Sequence, residues 1–189
     1  MSEDGRRLVV LLEGQIAGQI TVDGAGRFVL VYDAAWRRHF SHTPLSLSMP
    51  VSQGEHGDAP VRAFLWGLLP DNERVLDRWA QTYHVSARNP FALLQHVGED
   101  CAGAVQLVTE GRLDAILSGD ASVDWLTDEH VAERLRVLRR DPAAWHVNNS
   151  GQFSLAGAQA KTALCWDPRR AQMTPSVVLG GQNFMSPSS

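Results

Sequence analysis

The stretch "RLVVLLEGQIAGQITVDGAGRFVLVYD", residues 7–33, decides the fold class. Its apolar runs have strand length and are separated by Gly14-Gln15 and by the turn-forming "DGAG" at 23–26, so they read as a small antiparallel sheet. The first run does not alternate cleanly, which leaves its register open. Beyond it, "AAWRRHF" suits a short helix. "PLSLSMP" (44–50) alternates Leu45, Leu47 and Met49 with Ser46 and Ser48, a half-buried strand pattern between prolines.

Helical periodicity follows. In "APVRAFLWGLLPD", Val61, Leu65 and Leu68 share a face and Pro70 ends the segment. Asp71 is placed to cap a helix with Val75, Trp79 and Tyr83 at four-residue spacing. Asn89-Pro90 is a cap followed by a proline at the first helical position, with Phe91, Leu94 and Val97 on the apolar side. "GAVQLV" (103–108) reads as a strand returning to the sheet. Residues 1–108 therefore form a compact α+β unit, strands first and helices afterwards. A looser connector covers 109–124. Thr127 then caps a helix with Val131, Leu135 and Leu138 along one side. "AAWHVNNSGQFSLAG" suggests two short strands around a turn, and "TALCW" a strand pairing back. Residues 168–189 are rich in turn formers and carry no clear pattern, so a poorly ordered tail is expected.

The chain has 189 residues and a formal charge of -4. With no basic stripe, direct DNA binding is not expected, although joining a DNA-bound complex is compatible with this charge. Cys101 and Cys165 form no CxxC pair and read as reduced thiols rather than a redox or zinc site. The apolar run near the start is too short for a signal peptide, and no run approaches the ~20 residues of a membrane span. A cytoplasmic protein is expected.

Of 17 basic side chains, a single one, Lys161, is lysine. It lies in "SLAGAQAKTAL" (154–164), where a turn rich in small residues could aim backbone N–H groups at an anion, with Ser154 and Thr162 as hydroxyl donors. The pattern is not GxxxxGK[ST], and an ordinary β-turn fits the same residues. Elsewhere the chemistry is thinner. His39, His42 and Asp33 do not specify a four-ligand metal site, so no metal is expected. Glu99-Asp100 reads as a solvated turn, and Ser46 and Ser48 as the outer side of a strand. No GxSxG elbow exists, so no catalytic residue is assigned. Trp66, Trp79 and Trp125 fit either packing or a partner surface.

Four segments in order, "PLSLSMP" (44–50), "FLWGLLPDNERV" (64–75), "NPFALLQHVGEDCAGAVQLV" (89–108) and "FSLAGAQAKTAL" (153–164), resemble the amino-terminal part of HipA-type serine/threonine kinases, toxins of type II toxin–antitoxin modules. The resemblance implies a small amino-terminal subdomain (1–108) and an incomplete kinase-like N-lobe (109–167). It makes 154–162 a glycine-rich loop over ATP phosphates. By that pattern Ser154 is the autophosphorylated serine, Ala156, Gly157, Ala158 and Gln159 cover the phosphates, and Lys161 and Thr162 stand at the loop's exit. A phosphoserine there would compete for space and add like charge beside ATP.

The family continues past Asp167-Pro168 into an ATP-contacting lysine and a lobe with catalytic and Mg²⁺-binding residues. These 189 residues hold no lysine beyond Lys161 and no such lobe. Phosphoryl transfer needs those groups together. The resemblance therefore implies an amino-terminal fragment without autonomous kinase activity, with no ATP or Mg²⁺ expected to be bound by this chain. An alternative is an accessory protein of a split system. Its implied partners are a helix-turn-helix antitoxin, a separate kinase or a second copy. The run through the loop favours an interrupted gene over a dedicated partner, and apolar surface near Phe153, Leu155, Leu164 and Trp166 is expected to be uncovered.

Overall fold

The computed structural model describes residues 6–101, 104–118, 126–140, 164–167 and 172–175. Strands β1 (Arg7–Leu12), β2 (Gln15–Val22) and β3 (Phe28–Tyr32) form the expected meander. The two-residue β4 (Glu55–His56) pairs with β3, and β5 (Val105–Val108) returns along β1. The sheet order is β4-β3-β2-β1-β5, antiparallel throughout. The first turn is Glu13–Gly14, one residue earlier than expected. Both residues have positive φ, 51° and 75°, the primed geometry that follows strand twist. At the second turn, Asp23 Oδ1 accepts the N–H groups of Ala25 and Arg27.

Helix α1 (Ala34–His39) lies between β3 and β4, and α2 (Asp58–Gly67), α3 (Glu73–Tyr83) and α4 (Pro90–Val97) join β4 to β5. Capping explains their starts. Asp33 Oδ1 accepts from the Ala35 and Trp36 amides, and Asn89 Oδ1 accepts from Ala92 behind Pro90. The cap of α3 is Asn72, not Asp71: Asn72 Oδ1 accepts the Arg74 N–H at 3.1 Å, and Asp71 is an exposed bend residue.

One sheet face, with Leu8, Val10, Ile20, Phe28, Leu30, Tyr32 and Leu107, shares a core with Val61, Leu65, Val75, Trp79, Phe91, Leu93 and Leu94 of α2–α4. Phe28 stacks on Phe91 at 5.9 Å, and the Arg62 guanidinium lies 4.3 Å over the Phe28 ring. Asp58 ties α2 to the sheet by accepting the Phe28 N–H and holding Arg62. Because α2 stops at Gly67, Leu69 is the buried leucine and Leu68 is only half-buried.

Residues 109–124 contain more than a connector. Glu110–Leu117 is a helix, α5, whose Leu113 and Ile116 pack on Val9, Leu11 and Val108 of the opposite sheet face. Its gain from covering apolar strand surface outweighs the helix cost of Gly111, about 1 kcal/mol. Helix α6 (Asp128–Arg140) starts as expected, with the His130 amide donating to Thr127 Oγ1 at 3.3 Å. Leu135 on its apolar stripe is exposed. The expected strand in "TALCW" is β6 (Leu164–Asp167). Its partner is β7 (Gln172–Pro175), an element in a stretch where the sequence showed no pattern.

"PLSLSMP" is not a strand. Residues 45–49 form bends and a turn, with Met49 fully buried and Leu47 95% exposed. Polar contacts from Tyr32 override the alternation.

Candidate functional site

Tyr32 ends β3 with its ring in the main core, and its hydroxyl reaches the chain beyond α1. That hydroxyl donates to the Met49 carbonyl at 2.7 Å and accepts the Leu45 amide at 2.9 Å. Burial pushes its pKa up, which keeps the proton needed for the donated bond. His56 of β4 stands edge-on to the same ring at 5.8 Å, with Nε2 3.0 Å from the Pro50 carbonyl. Within the turn, Ser46 Oγ and Ser48 Oγ lie 3.0 Å apart, and the Met49 amide donates to the Ser46 carbonyl. The turn is thus closed at both ends and across its middle. It carries one large apolar side chain, Leu47, directed into solvent. A preordered exposed anchor of this kind loses little conformational freedom when a partner covers it.

A second polar clasp joins the far end of the sheet to α5. Glu99 accepts two bonds from Arg112, at 2.9 and 3.1 Å, while its carbonyl accepts from Gln106. Glu99 thus sits in a short helical turn as a solvent-facing ion pair with Arg112.

Residues 8–108 match the family model described as the HipA N-terminal domain. The chain belongs to that family. Along most of its length it is similar to the putative kinase Y4mE of Sinorhizobium fredii, at 36% identity over 163 residues, 84% of this chain and 38% of the relative. It is 29% identical over 160 residues to the serine/threonine-protein kinase toxin HipA of Shewanella oneidensis, covering 83% of this chain and 34% of that one. Among solved structures it resembles the Shewanella oneidensis HipA in a complex with HipB and operator DNA. That match has a TM-score of 0.65 and 28% identity over 92% of this chain and 38% of that chain. The chain thus spans little more than a third of the length of the kinases it matches, and its homology is to the amino-terminal part of HipA-type kinase toxins.

The residues singled out from sequence fall into distinct places, inside and outside the HipA domain match. Ser154, Ala156, Gly157, Ala158, Gln159, Lys161 and Thr162 lie outside the described residues, as do Phe153, Leu155 and Trp125. Cys101 is buried, and Cys165 belongs to β6. Trp79 is core and Trp66 packs half-buried against it. Asp33 is committed to capping α1, and among the described residues no group of three metal-ligating side chains occurs. No helix among them is long and apolar enough to cross a membrane. The Tyr32–His56 pin was missed from sequence. Its two rings are 24 positions apart, and only the strand pairing Leu30↔His56 brings them together.

Proposed function

We propose that this chain is the amino-terminal, partner-engaging portion of a HipA-type toxin–antitoxin module, working in the cytoplasm, and that these 189 residues alone do not transfer phosphate. The observation that carries the reading is that residues 8–108 form a HipA domain with its own closed core, while the chain spans 38% of a kinase relative. A closed core can bind independently of the kinase lobe. In this reading Ala156, Gly157, Ala158, Gln159 and Lys161 retain the sequence of an ATP loop, and Ser154 that of its regulatory serine. The similar toxin found with HipB and operator DNA supports a helix-turn-helix antitoxin as partner, reached without direct DNA contact by this chain.

Co-expression of the full chain with a HipB-type helix-turn-helix antitoxin tests the partner half. A stoichiometric complex on size-exclusion chromatography is expected. Separate elution of both proteins at micromolar concentration would contradict it. The accessory reading, in which a separate kinase is bound instead, predicts the same complex with that kinase.

A further inference from the structure

Helix α1 ends in Arg37, Arg38 and His39 and has no acidic residue in its first turn. Elsewhere Arg7, Arg27, Arg62 and Arg112 each hold a carboxylate. Among the described residues, Arg37 and Arg38 have no such partner, and neither do Arg74 and Arg88, which stand apart from each other in sequence. Basic residues at a helix end commonly do no more than complement its dipole. Arg37 does something else. Its guanidinium lies on the backbone of Gly54, so close that a Cβ there would sit 2.8 Å from Cζ and from Nη1. Gly54 has a φ of 75°. Its amide donates to the Val51 carbonyl and its carbonyl accepts the Tyr32 amide. The pinned connector is thus a platform against which the exposed Arg37 guanidinium rests.

Ala34, Arg37, Arg38, Ser41, Val51 and Ser52 line an open cleft of about 380 Å³ at this point. It combines two cations and two hydroxyls with an apolar wall from the buried Val51. Guanidinium groups match the planar geometry of a carboxylate, and two parallel charge-assisted bonds make such a pair strong. We propose that this cleft binds an acidic side chain of a protein partner, with Leu47 on the same connector taking an apolar neighbour in the partner segment. A nucleic-acid backbone fits less well. The cleft holds two cations rather than a stripe, in a chain of net charge -4, and Leu47 offers nothing to a phosphate.

This inference deepens the partner half of the proposed function and rests on it only for the existence of a partner. Selecting short random peptides on the full 189-residue chain tests the cleft itself, so its outcome is separable from that of the antitoxin co-expression. Enrichment of peptides pairing Asp or Glu with an apolar residue is expected. Replacing those acids by amides, or using R37Q/R38Q, should weaken binding at least about tenfold. Arg38→Gln alone keeps the test readable if the double variant loses its fold, and should weaken binding several-fold. Absence of acidic enrichment, equal binding by the variants, or displacement of the peptide by duplex DNA would overturn the proposal.

Discussion

The two faces of the five-stranded sheet are buried by different means. One face lies under α2, α3 and α4, with aromatic stacking and leucines of zero exposure. The other is covered by α5, which packs on Val9, Leu11 and Val108, while Ile16 and Val31 on the same face remain 38% and 37% exposed. Strand β1 is buried on both faces, as is most of its neighbour β5, and so the run Leu8–Leu12 is continuously apolar rather than alternating. The difference separates what holds the domain together from what closes its far side.

The largest effect should come from the three-helix face. Leu94→Ala, at a fully buried site, should cost about 2–5 kcal/mol in chemical denaturation. Tyr32→Phe comes next. It leaves the Leu45 amide and Met49 carbonyl without their partner, at about 1–3 kcal/mol, and should speed hydrogen exchange in residues 45–49. Leu113→Ala on the second face should cost only about 1 kcal/mol, since that side chain is partly buried. A loss equal to that of Leu94→Ala would erase the contrast between the faces.

The pH dependence adds a smaller effect on the first face. The Arg62 side chain and the Phe28 amide hold the Asp58 carboxyl below its ordinary value near 3.8. Its stabilisation is therefore present above that value and is lost as pH falls from there through the lower folded pKa. Asp58→Asn should flatten that acid limb of the stability curve. Smallest of all, Leu47→Ser should change stability by less than about 0.5 kcal/mol, because its side chain touches solvent rather than core. A larger loss would mean that Leu47 is structural.

How much was legible in the sequence follows the same division. One-sided burial with local capping shows as period and punctuation, so β2, β3, α3 and α4 were readable from Ile20, Leu30, Trp79 and Asn89. Helix α5 left a weaker trace, Leu113, Ile116 and Leu117 at helical spacing, which Gly111 obscured. "PLSLSMP" was misread because Tyr32 and His56 organise it from outside its own segment. The Arg37 platform likewise depends on Gly54, 17 positions away. The loop at 154–162 lies outside the described residues; local chemistry alone does not separate it from a β-turn, and its reading as an ATP loop rests on family resemblance.

The central claim, binding without autonomous catalysis, is tested most directly by incubating the full chain with ATP and Mg²⁺ and following phosphate transfer. No turnover and no phosphate on Ser154 are predicted. Saturable ATP binding with phosphate transfer, abolished by Lys161→Ala, would contradict the account.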